Sequence, residues 1–255
     1  MKRKAVAVAK KAKTTAIAAA ALAAFTTAPV ATAEPDSTAS NGATAHAGER
    51  FFIETSARPI GCTINSFIIV DGEASLLTAG HCIKAAKNEG TPLQVKTVSG
   101  QALAGKEELG RATYQVNRPG LLFDRTNGLQ DVATLPLAEG VDVDYTTLKS
   151  SFTPSLGSSE ILRGFFSGEP VGLGEPRRVT ANLTGTMVCK DGSTTARTCG
   201  PIVYANEQTQ DVVALIPSFP GDSGGPLTIL GEDGKRHVIG TGSLSLGLIS
   251  IYDNR

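Results

Sequence analysis

Past residue 50 the chain offers apolar residues only in short runs, each closed by a turn signal, and that pattern limits the fold more than any other feature. Residues 62–70, CTINSFIIV, run into Asp71-Gly72, a pair suited to a two-residue turn, and residues 74–79, ASLLTA, supply a hairpin partner. Residues 226–230, PLTIL, and 237–242, HVIGTG, flank GEDGKR in the same way. Within 178–187, Val179, Ala181, Leu183, Gly185 and Met187 alternate with polar residues, which predicts a half-buried strand. Long amphipathic helical patterns and internal repeats are absent from this region. The expected class is all-β, with a soft boundary near 150–159, SSFTPSLGSS, dividing a first barrel or sandwich of about 51–150 from a second of about 151–255.

The start of the chain has a different composition. Six of the 24 basic residues (Lys2, Arg3, Lys4, Lys10, Lys11, Lys13) precede the apolar run AIAAAALAAF, and no acidic residue occurs before Glu34. With the small residues APVATA at 28–33 this has the layout of a signal peptide cleaved after Ala33. The apolar run is too short to span a bilayer, so an uncleaved anchor is the weaker reading, and no stable membrane association is expected after cleavage. Removal leaves 18 basic against 24 acidic residues, a balance that gives no support to nucleic-acid binding. Residues 34–50 are small and polar and read as a linker or short propeptide unable to form a core.

Export makes the four cysteines interpretable as disulfides. Cys62, Cys82, Cys189 and Cys199 allow three connectivities, of which 62–82 with 189–199 closes the shortest loops. A zinc site is the weaker alternative, because the spacings are wide and no CxxC pair is present. No metal and no organic cofactor is expected.

Residues 220–227, PGDSGGPL, set Ser223 among glycines that free the backbone and admit a close approach to the main chain. A hydroxyl nucleophile also needs a base and N–H groups for the oxyanion. Of three histidines, His46 lies in the polar linker and His237 in a C-terminal strand, whereas His81 follows an apolar strand and adjoins Cys82. The third member is an acid in apolar sequence: Asp131 in LQDVATLPL, with Asp124 and Asp142 as rivals in less apolar surroundings.

Taken together and in order, TAGHC, DVATL and GDSGGP resemble the chymotrypsin family of serine proteases, whose fold is two antiparallel β-barrels with the active site between them. Residues 188–200, VCKDGSTTARTCG, are similar to a stretch of its bacterial secreted branch, the α-lytic protease and streptogrisin group. That resemblance implies His81, Asp131 and Ser223 as the triad, and an oxyanion hole from the amides of Gly221 and Ser223. It also implies the two local disulfides. No IVGG start is visible to pair with Asp222, and Lys190 occupies the place of the basic residue that does so in the bacterial branch, so a Lys190–Asp222 ion pair supporting the oxyanion loop is expected.

For specificity, the resemblance puts Pro217 at the pocket base, which disfavours a trypsin-like choice of Lys or Arg, and Ser243 on the strand that binds the substrate main chain. Leu244 and Ser245 stand where glycines are usual and narrow the pocket mouth, so an apolar or small residue is expected before the scissile bond. The implied activity is a secreted endopeptidase acting on proteins or peptides, monomeric by default.

Two departures keep a second class open. Little sequence is available for a pro-region, and only 32 residues follow Ser223, which predicts a second barrel shortened at its C-terminus. A secreted protease-like binding protein, or an inactive truncated relative, is therefore the alternative. An α/β-hydrolase esterase also uses a serine triad, with a G-x-S-x-G elbow in the order Ser, Asp, His, and the order His, Asp, Ser here excludes it.

Overall fold

The computed structural model describes residues 44–117, 128–150 and 169–254. The signal segment, most of the expected linker, nearly all of the expected boundary at 150–159, and Asp124 lie outside them.

The first half runs β1 (Ala45–Ala47), β2 (Arg50–Thr55), β3 (Ile60–Thr63), β4 (Ser66–Val70), β5 (Glu73–Thr78), α1 (Gly80–Glu89), β6 (Pro92–Thr97), β7 (Ala102–Ala104), α2 (Lys106–Arg111), β8 (Thr113–Asn117), β9 (Gln130–Pro136) and β10 (Val143–Leu148). The expected hairpin forms between β4 and β5, with Asp71 and Gly72 both at positive φ, as a two-residue turn that matches strand twist requires. Two four-stranded sheets, β3-β2-β6-β7 and β4-β5-β9-β8, enclose a core that includes Phe51, Ile53, Leu76, Ile83, Val95 and Leu135. Strict alternation along β9 turns Asp131, Ala133 and Leu135 inward together.

The second half runs β11 (Val171–Gly174), a 3₁₀ turn (Ala181–Leu183), β12 (Met187–Gly192), β13 (Ala196–Ala205), β14 (Asp211–Leu215), β15 (Pro226–Leu230), β16 (Arg236–Leu246) and β17 (Ile249–Asp253). Here β15, β12, β13, β14, β17 and β16 close on themselves, every pairing antiparallel, into a six-stranded barrel. Its core includes Val188, Ile202, Val212, Ile216, Leu227 and Tyr252. β17 closes the barrel, so the short sequence after Ser223 does not leave it a strand short.

Two expectations are corrected. Residues 178–187 are not a strand: Met187 and Ala181 face solvent, and 181–183 coil into the 3₁₀ turn. Thr180 bonds to Asn182, Gly185 takes φ +88°, and the Val179 N–H is satisfied by the distant Gln210 side chain, so side-chain bonds replace a ladder until Gly185 and Thr186 bond to the Ile202 backbone. Residues 45–47 do not belong to a coreless linker, because they form β1, parallel to β10, with Ala45 and Ala47 buried. Alanine is small enough to pack under a paired backbone without adding a hydrophobic signal to the sequence.

Candidate active site

His81 is the second residue of α1, directly after β5. Gly80 is required where the helix starts, since a methyl group there would collide with the Gln115 carbonyl and stand 2.9 Å from that of Val132. Close packing of α1 on β8 and β9 brings His81 over Asp131. Its Nδ1 lies 2.7 Å from Asp131 Oδ2, and its backbone N–H donates to Asp131 Oδ1, also at 2.7 Å. A fully buried carboxylate is tolerable only with such partners, and Asp131 has a third, the Ser243 hydroxyl, which donates to Oδ2. The Asp131 N–H in turn donates to Asp253 Oδ2 at 2.8 Å, tying the first half to the last strand. Cys62 and Cys82 lie beside His81 but are joined in a disulfide, so they offer no thiolate to a metal ion. The second bridge joins Cys189 and Cys199, directly opposed across β12 and β13.

Ser223 sits in the loop between β14 and β15, half-buried, against the strand end that leads to His81. The Thr63 N–H donates to the Ser223 carbonyl at 2.8 Å. Gly224, at φ +86°, lies so close to β5 that a methyl group would collide with Thr78 Oγ1 and stand 3.1 Å from the Ala79 nitrogen. Among the described residues the Ser223 hydroxyl makes no hydrogen bond, to His81 or to any other side chain, and the amides of Gly221 and Ser223 donate to no acceptor. Asp222 N–H donates to the Phe219 carbonyl, and the Gly221 carbonyl accepts from Thr63 Oγ1 and Ser193 Oγ, so that carbonyl is held inward.

The structure brings Lys190 and Asp222 together beneath this loop. Lys190 Nζ lies 2.7 Å from Asp222 Oδ2, with side-chain exposures of 1% and 0%. Thr194 and Thr195 N–H donate to Asp222 Oδ1 at 2.8 and 3.1 Å, and Phe219 N–H donates to Oδ2 at 3.0 Å. Burial pushes the Asp222 carboxyl up, but the Lys190 charge and these N–H groups outweigh it and hold it below the usual carboxylate range. Burial pulls the Lys190 ammonium down, opposed by the Asp222 charge.

A cavity of about 480 Å³ opens beside Ser223, lined by Ser218, Phe219, Pro220, Asp222, Gly242, Ser243, Leu244, Ser245, Gly247, Ser250, Ile251 and Tyr252. Of the sequence-based choices, Ser243, Leu244 and Ser245 line it, whereas Pro217 does not; the Pro217 carbonyl instead accepts from Thr198 Oγ1 at 3.2 Å. Ser218, Ser250 and Tyr252 line the cavity as well. Ser218 comes from the loop before Ser223 and the other two from β17, and no local motif marks them.

The other candidates lie elsewhere. Asp142 accepts from Thr44 Oγ1, His46 pairs with Asp144, and His237 contacts Asp233 and the Glu175 carbonyl.

No family model matches the sequence, and no curated protein matches it. Solved structures do match in overall shape. Thermobifida fusca protease A aligns at TM-score 0.49 and 16% identity, covering 83% of this chain and 92% of that one. Nocardiopsis protease aligns at 0.48 and 18%, covering 82% and 93%, and an α-lytic protease homolog at 0.48 and 13%, covering 83% and 93%. What the chain is similar to is a set of chymotrypsin-like bacterial serine proteases.

Proposed function

We propose that the protein is a secreted serine endopeptidase that cuts peptide bonds through His81, Asp131 and Ser223. The observation that carries this reading is the His81–Asp131 pair, in which a buried carboxylate holds Nδ1 and leaves Nε2, which lies 4.0 Å from the disulfide sulfur of Cys82, as the ring's basic nitrogen. Ser223 Oγ attacks the scissile carbonyl while His81 Nε2 takes its proton, forming a tetrahedral oxyanion that the Gly221 and Ser223 amides receive. The oxyanion collapses, His81 gives the proton to the leaving amine, and water repeats the sequence on the acyl-enzyme. Asp131 fixes the tautomer and stabilises the imidazolium. The Lys190–Asp222 pair acts as a positioning device for the oxyanion loop.

The cavity beside Ser223 takes the side chain before the scissile bond. Among the described residues no carboxylate faces it unpaired, since Asp222 is matched by Lys190, and this supports a preference other than Lys or Arg. The disulfides and the N-terminal segment support export; among the described residues no helix is long and apolar enough to cross a membrane.

Because Ser223 and His81 are not hydrogen bonded in this arrangement, a second reading is a protease-like binding protein or inactive relative. Cleavage of a peptide library by the native protein, lost in Ser223→Ala, supports the first reading. Peptide binding without turnover by either protein supports the second.

A further inference from the structure

Arg50 opens β2 with a cation that has no ion-pair partner of its own among the described residues: the carboxylate whose charge reaches it, Asp222, is already paired with Lys190. Its guanidinium Nε is buried without a hydrogen-bond partner. The group is half-buried and stacked on Phe52, with Cζ 5.0 Å from the ring centroid. Such a guanidinium keeps several donors in a planar fork, a shape that fits a carboxylate.

Its position says which carboxylate. The side chain lies across Gly61, the partner of Phe52 in the β2–β3 register: a methyl group on Gly61 would stand 3.0 Å from Nη2 and 3.1 Å from Nε. Glycine at 61 thus leaves a bed that the guanidinium fills. The far end reaches the second barrel, where a methyl group on Gly221 would stand 3.4 Å from Nη2. Gly61 precedes Cys62, which is bridged to the neighbour of His81, and Thr63 holds the Ser223 carbonyl. The guanidinium is therefore bracketed by β3, which the disulfide ties to the helix of His81, and by the oxyanion loop.

The cavity beside Ser223 lies apart from it, walled by Ser218, Ser243 and Ser245 and by neither Arg50 nor Gly61. In acyl transfer the acyl part and the leaving amine depart from the scissile carbon in opposite directions. With the acyl side chain in that cavity, the leaving strand runs past Gly221 toward Arg50. At about 3.3 Å per extended residue, the first or second residue after the cut comes within reach.

We propose that Arg50 is a specificity-determining residue on the leaving-group side, selecting substrates with Asp or Glu at the first or second position after the scissile bond. The proposal rests on the peptidase reading above. The carboxylate accepts from the Arg50 fork and supplies the balancing charge, while a lysine there meets a like charge.

The test compares kcat/KM for quenched peptides that are identical before the cut and carry Glu, Gln or Lys at either position after it. Native protein, Arg50→Gln and Arg50→Glu are assayed at low and high salt, and each is also treated with a fluorophosphonate probe. The native protein is expected to favour Glu over Gln about tenfold, the size of a charge-assisted hydrogen bond, and the ratio should shrink as salt rises. It should vanish in Arg50→Gln and turn toward Lys in Arg50→Glu. Equal rates for Glu and Gln in labelled native protein overturn the role of Arg50 alone, as does a Glu preference that survives in Arg50→Gln. No labelling of native protein overturns the peptidase reading, and this proposal with it. The native comparison needs no variant, so misfolding of either one leaves it decisive.

Discussion

Lys190 Nζ and Asp222 Oδ2 meet at 2.7 Å with both side chains withdrawn from solvent, directly under the loop that carries Ser223. Two buried charges hold one another and, through the Thr194, Thr195 and Phe219 amides, the shape of that loop. Removing one partner strands the other. Lys190→Met or Asp222→Asn should lower stability by about 3–5 kcal/mol, read by denaturant unfolding.

The same pair sets an acid limit. The folded Asp222 carboxyl is held below its ordinary value of 3.8, so the unfolded chain binds more protons in that range. Its contribution is complete above pH 3.8 and is lost as pH falls toward the depressed folded value. The stability difference between native protein and Asp222→Asn should therefore be constant near neutrality and shrink below pH 3.8, as measured by unfolding curves across acid pH.

Asp131→Asn that keeps its oxygen on the His81 N–H presents its NH₂ to Nδ1, which turns the imidazole to the wrong tautomer. The fold should survive and kcat should fall by about 10³- to 10⁴-fold, with partial recovery at high pH. A loss of less than tenfold would mean that Asp131 does not act through His81.

The Cys62–Cys82 bridge closes a loop with a sequence separation of 20 and anchors the start of α1. Replacing both cysteines by alanine should cost roughly 3 kcal/mol by chain entropy. Activity should decline further than global stability explains, because His81 is the immediate neighbour of Cys82. Thermal melts and kcat on one sample separate the two effects.

Gly224→Ala asks for a side chain at φ +86° in contact with Thr78 Oγ1 and the Ala79 nitrogen. It should destabilise by about 2–4 kcal/mol and weaken Ser223 reactivity even where the protein stays folded, as read by melting and by labelling rate.

Much of this arrangement was legible because its carriers are local in sequence. Asp71-Gly72 announces the β4–β5 hairpin, and the apolar run 129–137 singles out Asp131, which β9 then turns inward. His81 and Asp131, fifty residues apart, could be proposed as partners from their motifs, and the structure puts them in direct contact. What the sequence hid depends on distant chain segments. The apparent strand at 178–187 loses to short polar bonds, one of them from Gln210. β1 is held by β10, about 100 residues away, through alanines that carry no signal of their own. Arg50 acquires its meaning only from Gly61 and Gly221, and Asp253 only from the backbone of Asp131. α1 leaves little trace in the sequence although Gly90 marks its end, because its apolar face is narrow.

The central claim is that Ser223 is a nucleophile activated by His81 and Asp131, and intact-protein mass spectrometry after fluorophosphonate treatment tests it most directly. A single adduct on Ser223 in native protein, absent in Ser223→Ala and strongly slowed in His81→Ala, is the predicted result. A folded, disulfide-bonded native protein that takes up no adduct would contradict it.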